Sequence, residues 1–573
     1  MQLIRRVLSA CLGGAVVASM TVATAGPAAA GPETAKDRVT VTDGTSLALT
    51  VTGEQPLQAR PTVVEFTPYG SGGGSYKIGP DYNYLVVQIR GTGDSNGSFD
   101  ALGPRSQQDV VEVLDWACRQ PWSNGDLAVA GFSASAIMIF NSLHQQLPCV
   151  KAAVLRSGTF ELYRDLLVPG GIPSTAAGLA VLAMIGAPAL AQGPERLARD
   201  PLSTLAVIFG LADTGFNAGL LHPRLDTWWQ QRGFRGNANR IPTLFLDGVF
   251  DVEPRGDYQG FQELRAAGIP TQLQVTGAHD GAPRGTDLGA AAIEKWLDRY
   301  LRGIDNGVED EPAVQMLVAD GDREAMLGGQ YVEFDAADWP APGTRWESLF
   351  LAPGGGLSLD RPATVTPKGY LEVPSLTTQT DPNVTATIGG GPDGPLNQLA
   401  TYVPALTDMN LTNATGAVFT TPKLSRDVTA VGPGTLELKL RTLLPTATIW
   451  AVVSDVDPAG KVHPMTVGRL NTAFPDIVES KSLYRDGKLV QPYGDYSKAT
   501  PPGVGATRRY HVELWPVANR FKQGHRIQVT LVGRPVTMFP TLPSLNTIYL
   551  GGAEASSLTF PVAPGSDLAA ALH

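Results

Sequence analysis

The sequence predicts an α/β domain that carries an inserted helical cap and is followed by an all-β sandwich or jelly roll. Three observations lead there. Apolar runs of strand length alternate with helical periodicity in the first half of the chain. A stretch rich in Ala, Leu and Gly, without charge from Leu166 to Pro194, interrupts that alternation. Past about residue 308, short strands separated by Gly, Pro, Asp and Asn replace it. The 573 residues allow for about two to four domains. Gly and Pro, 64 and 45 of them, agree with many turns.

The chain begins as an address. Arg5 and Arg6 precede an apolar run from Val7 to Val22, and Pro27-Ala28-Ala29-Ala30 offers small residues for cleavage after Ala30. Residues 1–30 therefore read as a secretory signal peptide and the product as extracellular. Cys11 follows a lipoprotein-like Leu8-Ser9-Ala10, but too little apolar sequence precedes it. Removing the leader takes the net charge from −10 to −12. With no basic block, the electrostatic footprint for nucleic acid is missing. Cys118 and Cys149 then remain, an even count in an oxidising compartment, and are expected to form a disulfide.

Residues 38–51 and 61–68 read as β-rich, and Tyr84 to Arg90 as a strand buried on both faces. Ser106 to Arg119 has helical spacing at Val110, Val113, Leu114 and Ala117, and Asp126 to Gly131 is another buried strand. Strands follow at Val150–Leu155, Ile241–Asp247 and Thr271–Thr276, then an amphipathic helix from about Thr286 to Leu301. The α/β domain thus comprises residues 31–155 and 241–310, with the cap at 156–240. The cap's apolar core from Ala176 to Ala191 is too short for the ~20 residues a bilayer needs, and Pro188 breaks it, so no integral membrane association is expected. Residues 311–573 form the β domain, typified by Gly434–Arg441, Thr448–Ser454 and Arg526–Val532.

Chemistry concentrates after the strand ending at Gly131. Gly131-Phe132-Ser133-Ala134-Ser135 sets a serine on a strand-to-helix turn between small residues, the layout that lifts a hydroxyl out of a sheet. Its pattern is G-x-S-x-S, and Ser135 is the local competitor. A serine nucleophile needs an imidazole to take its proton and a carboxylate to orient that imidazole. His279 is the histidine that directly follows an α/β strand. Asp251, just beyond the strand from Thr243, is the expected acid, with Asp247 as second choice.

The stretch from Phe66 to about Val314 resembles the CocE/NonD hydrolases and the related X-Pro dipeptidyl-peptidases and α-amino-acid ester hydrolases. The markers are Thr67-Pro68-Tyr69, Arg90-Gly-Thr-Gly-Asp94-Ser-Asn-Gly97, Gln120-Pro-Trp122-Ser-Asn-Gly125 and Trp296-Leu-Asp298 to Gly303-Ile-Asp-Asn-Gly307. Ser454 to Gly460 and Phe521 to Arg526 match the β domain of that family. The resemblance implies an α/β-hydrolase fold with Ser133 as nucleophile, Asp251 as acid and His279 as base. It implies an oxyanion hole from the Tyr69 hydroxyl and the Ala134 amide. Arg90 and Asp94 would order their loop, and His525 would be structural. Two departures bear on the pocket: Ala134 and Ala136 stand where the family carries an aromatic and a glycine, and Gly277-Ala278 replaces a tryptophan-containing run.

The leading expectation is a secreted serine hydrolase of carboxylic esters, with an apolar acyl or aryl group suggested by the uncharged cap. A peptidase or amidase on the same triad is the alternative; it needs acids to hold a substrate ammonium, for which Glu161 and Asp165 are the obvious positions. A non-catalytic protein that docks to envelope or polysaccharide is a third. No cofactor is expected. Asp455-Val-Asp457 and Asp320-Gly-Asp322 look like fragments of calcium loops, yet neither has EF-hand spacing, so no metal is expected either.

Overall fold

The computed structural model describes residues 33–54, 56–70, 76, 79–186, 198, 201, 218–279, 288–375, 377, 381, 409–535 and 537–573. The expected leader and its cleavage site lie outside these, as do residues 187–191 of the cap's apolar core.

The first half is a twisted sheet of ten strands: β1 (Glu33–Thr40), β2 (Ser46–Gly53), β3 (Arg60–Thr67), β4 (Asn83–Gln88), β5 (Ser123–Phe132), β6 (Val150–Arg156), β7 (Thr243–Phe250), β8 (Thr271–Ala278), β9 (Val314–Ala319) and β10 (Tyr331–Ala336). Their pairing gives the order 1-2-4-3-5-6-7-8-9-10. Neighbours from β4 to β9 run parallel, and β1, β2 and β10 add antiparallel edges. The parallel sheet thus continues through β9, past residue 310.

Alternation along the central strands explains how both faces are covered. Val63, Ala128, Val154 and Leu244 pack with Trp296, Leu297 and Leu301 of a helix spanning Leu288–Arg302. Their neighbours Val64, Val129, Leu155 and Phe245 point the other way, into the core containing Val110, Val113 and Leu114 of helix α1 (Pro104–Cys118). Helix α2 (Ala134–Ser142) and Phe261 and Leu264 of a later helix, Pro254–Ala266, join that face. Each fully buried Val or Leu contributes roughly 1.5–3 kcal/mol relative to exposure. Cys118 at the end of α1 is bonded to Cys149 before β6, across a Cα–Cα distance of 6.2 Å.

Between β6 and β7 the described part of the insertion is short helical pieces, including a turn at Tyr163–Leu167 and helix α3 (Thr175–Val181). Among the described residues, no helix is long and apolar enough to cross a membrane. The insertion is rooted in the second half of the chain. Arg164 donates to the Gly494 carbonyl at 2.7 Å, and the Tyr493 hydroxyl donates to Glu161 at 2.8 Å. Gly170, at φ 65°, lies against Arg469, whose carbonyl oxygen would stand 2.3 Å from an added Cβ.

After β10 the chain is almost wholly β: β11 (Arg345–Ala352), β12 (Gly356–Ser358), β13 (Thr366–Glu372), β14 (Ala417–Thr420), β15 (Val428–Thr442), β16 (Thr448–Val456), β17 (Val462–Asn471), β18 (Leu483–Arg485), β19 (Lys488–Gln491), β20 (Thr507–Phe521), β21 (Arg526–Val532), β22 (Ser544–Leu550) and β23 (Ser557–Val562). One antiparallel run is β14-β21-β16-β17, and another links β11-β23-β15-β20. Leu436, Leu438, Val453, Val512 and Val529 fill the core that these strands share. Asn519 of β20 pairs with Ala319 at the end of β9, so the β domain is continuous with the hydrolase sheet there. The fold is an α/β-hydrolase domain followed by an all-β domain.

Candidate active site

The site forms where parallel strands end, the usual location in open α/β sheets. Ser133 follows β5 with φ 55° and ψ −124°, a conformation L-residues avoid and tight surroundings must enforce. Gly131 makes the turn possible: a Cβ there would lie 2.4 Å from the Ala136 nitrogen. Its carbonyl accepts from the Tyr76 hydroxyl at 2.7 Å.

Ser135, the competing serine, is buried and donates to Glu65 Oε1 at 3.1 Å. The Tyr84 hydroxyl takes the other oxygen of Glu65. The serine in the place of a more usual glycine therefore anchors the turn from beneath, and Ser133 is the one left partly exposed.

Asp251 directly follows β7 and His279 directly follows β8. Both are buried, and His279 Nδ1 lies 2.8 Å from Asp251 Oδ1. Burial alone would raise the Asp251 carboxyl. The His279 charge and hydrogen bond, the Ser157 hydroxyl and the Glu253 amide outweigh it and hold the group below the ordinary aspartate value. The Ser157 Oγ also lies 3.2 Å from the His279 carbonyl oxygen, its one proton shared between that oxygen and Asp251, and the Phe132 ring lies 4.7 Å from the imidazole. Asp247, the second choice, does not meet the histidine. One oxygen accepts from the Gly248 amide at 2.7 Å, and the carboxyl faces that of Asp251 within hydrogen-bond reach. Burial, then Asp251 and Asp257, pushes it well above the usual carboxylate range.

Across the turn, the Ala134 amide donates to the Tyr69 hydroxyl at 3.2 Å. Desolvation, with Glu253 and Glu65 nearby, pushes the Tyr69 hydroxyl up to about 12 despite its contacts with Ser133 and Ala134. It stays a protonated donor at every physiological pH. Of the five residues read from sequence as nucleophile, acid, base and oxyanion donors, the structure thus pairs Asp251 with His279 and Tyr69 with Ser133 and Ala134, all just past the carboxyl ends of their strands, and Phe132 beside Ser133 lies against the imidazole.

Glu161 and Asp165, read as ammonium acceptors, are taken by the protein's own cations. Asp165 accepts from Arg255 at 2.8 Å, and Glu161 pairs with Arg164 and Tyr493. Arg255 reaches on to Glu513 of β20 at 2.9 Å, joining insertion, hydrolase domain and β domain in one buried ion-pair chain. Glu253 is the acid that sequence reasoning missed. It is 1% exposed, its two carboxyl oxygens lack hydrogen-bond partners, and a carboxyl oxygen can come within 4.8 Å of ligating atoms of Asp251 and His279. Burial, more than the opposing pull of His279, pushes it from 4.5 to about 8. Its signal in the sequence was only proximity, two residues after Asp251.

Elsewhere, Arg90 pairs with Asp109 at 2.6 Å and with Asp43 at 3.0 Å, and His525 with Asp455 at 2.7 Å.

Comparison with known proteins agrees. Residues 43–280 match the family profile described as X-Pro dipeptidyl-peptidase (S15 family), and residues 306–558 match the X-Pro dipeptidyl-peptidase C-terminal non-catalytic domain. A Mycobacterium bovis protein named as a candidate serine esterase is 23% identical over 85% of this chain and 84% of its own. A cocaine esterase from Rhodococcus is 20% identical over 78% of this chain and 79% of its own. A CocE/NonD family hydrolase from Staphylococcus aureus shares the fold with a TM-score of 0.75 and 18% identity, covering 95% of this chain and 99% of its own. With both halves matched in order and the serine turn set between β5 and α2, the chain belongs to the CocE/NonD and X-Pro dipeptidyl-peptidase family of serine hydrolases.

Proposed function

We propose that the protein is a secreted carboxylic ester hydrolase acting through Ser133, His279 and Asp251. The observation that carries this is the 2.8 Å Asp251–His279 contact beside a serine held in a strained turn. Asp251 fixes the proton on Nδ1, leaving Nε2 as the base that accepts the Ser133 proton as Oγ attacks the ester carbonyl. The developing oxyanion takes up hydrogen bonds from the Tyr69 hydroxyl and the Ala134 amide, which pair with one another at 3.2 Å in the free site. Protonated His279 then delivers its proton to the departing alcohol, and an acyl-Ser133 ester forms. Water, deprotonated by His279, releases the acid and restores the serine.

An insertion uncharged from Leu166 to Pro194 favours apolar acyl or aryl groups. Export through residues 1–30 belongs to the same proposal. The Cys118–Cys149 disulfide supports it, because such bonds persist in oxidising compartments. The purified exported chain then begins at Gly31.

One observation favours a second reading, in which the acyl group bears an α-ammonium. Glu253 is a buried acid beside the triad with no partner for its oxygens, and a bound cation would ionise it.

The test compares wild type and Ser133→Ala on p-nitrophenyl esters of increasing acyl length, on aminoacyl esters and on an Xaa-Pro p-nitroanilide. Ester turnover lost about 10⁴-fold or more in the variant supports the proposal. Anilide or aminoacyl turnover above that of simple esters moves the assignment to the second reading, and turnover indifferent to Ser133 overturns both.

A further inference from the structure

Away from the triad, a second group of ligand-type side chains sits at the junction of the two domains. The loop after β9 carries Asp320-Gly321-Asp322 and opens a short helix at Arg323–Leu327. The β16–β17 hairpin brings Asp457 and His463 against it. In sequence these acids belong to two separate fragments; in the fold they converge on one imidazole.

Each carboxylate of this group has one oxygen engaged and the other turned towards His463. Asp322 Oδ1 caps the helix, accepting from the Glu324 amide at 2.8 Å and the Ala325 amide at 3.2 Å. Its Oδ2 lies 3.4 Å from His463 Nδ1. Glu324 Oε1 accepts from Arg323, and Glu324 Oε2 lies 3.9 Å from the same Nδ1. His463 itself is 4% exposed, so its ring nitrogen is fixed in place facing both acids. On its far side Nε2 lies 3.4 Å from Asp457 Oδ2.

These spacings do not suit an imidazolium closed onto carboxylates, where charge-assisted contacts shorten to roughly 2.7–2.9 Å. The 3.4 Å between His463 Nδ1 and Asp322 Oδ2 suits the edge of a coordination polyhedron, since donors each ~2.0–2.1 Å from one zinc in a tetrahedron stand roughly 3.3–3.4 Å apart, and Glu324 Oε2 at 3.9 Å needs to close by about half an ångström. The three donor atoms lie within 4.8 Å of one another. One nitrogen and two carboxylate oxygens suit zinc better than calcium or magnesium, which prefer oxygen alone. Asp457 stands where an outer carboxylate accepts the other ring N–H of a metal-bound histidine and fixes its tautomer.

We propose that Asp322, Glu324 and His463 bind one zinc ion, with water in the remaining position and Asp457 as the outer carboxylate. The ion ties the end of the hydrolase sheet to the β16–β17 hairpin. It is a structural site, separate from the triad.

The mature chain, stripped with a chelator and dialysed, is titrated with zinc chloride by calorimetry and by thermal unfolding. Wild type is expected to take up one zinc per chain with a rise in Tm, binding is lost in His463→Ala, and Asp457→Asn weakens it ~10–100-fold. Asp322→Asn keeps a good helix cap, so it reports on the metal even if His463→Ala fails to fold. Glu253→Gln separates this site from the triad acids: undiminished stoichiometry there supports the proposal. No zinc uptake by wild type, uptake unchanged in both His463→Ala and Asp322→Asn, or uptake lost only in Glu253→Gln overturns it.

Discussion

The backbone amide of Ala134 donates to the phenolic oxygen of Tyr69 across 3.2 Å, joining a β5–α2 turn to the end of β3. The two groups proposed to share one substrate oxygen are thus held within reach of each other. Tyr69→Phe removes one donor and leaves the packing of the ring. The expected result is a fall in kcat of about 10²–10³ with little change in KM, measured on the best p-nitrophenyl ester.

Asp251 and Asp247 sit four residues apart and are both buried, yet they have opposite electrostatics. Asp251→Asn is expected to lower kcat about 10⁴-fold by leaving the imidazole in the wrong tautomer. Burial, with Asp251 and Asp257 nearby, pushes Asp247 well above the usual carboxylate range, so the uncharged Asp247→Asn is expected to retain turnover within about tenfold. Steady-state kinetics on the two variants side by side tests the choice of acid.

Glu253 supplies a pH dependence whose sign is fixed by its raised pKa. Between about 4.5 and 8 the folded protein holds a proton that the unfolded chain has released, so stability falls as pH rises through that window. Glu253→Gln removes the effect. Relative to wild type, the variant is expected to gain stability between pH 5 and pH 8.5, on the order of a few kcal/mol. Urea unfolding at both pH values measures it. The same substitution is expected to lower kcat/KM for aminoacyl esters more than for simple acyl esters if an ammonium binds there.

The Cys118–Cys149 bond closes a loop with a sequence separation of 31, inside which lie β5, Ser133 and α2. Cys118→Ser, or reduction of the wild type, is expected to cost about 2–4 kcal/mol of stability. Urea unfolding with and without dithiothreitol reads this directly.

Much of the site was legible because it obeys local rules. Ser133 lies between a buried strand and a helix, and Asp251 and His279 each follow the end of a recognisable apolar run. Asp247 and Asp251 could be ranked by position but separated only by geometry, since which one meets the imidazole depends on how the chain turns after Phe250. Glu65 and Glu253 were opaque for a different reason. An acid in an apolar strand or tight turn looks unremarkable until its partners are known. Those partners, Ser135 and Tyr84 for Glu65, lie 70 and 19 residues away. Glu161 and Asp165 misled in the opposite sense, because the arginines that neutralise them are Arg164 next door and Arg255 across the insertion. In the second half, strands were visible one by one, but pairings such as β15 with β20 join residues too distant for periodicity to suggest.

The Arg255 chain has a consequence for how the molecule could be dissected. Its guanidinium is buried four residues beyond the triad acid and satisfied by one carboxylate from the insertion and one from β20. A hydrolase half expressed without residues after β10 would keep Tyr69, Ser133, Ala134, Asp251 and His279. It would nonetheless leave this cation half-compensated and the Arg164 contact to Gly494 unmade. The β domain thus supplies partners to buried charges on both sides of the junction, one of them four residues from Asp251.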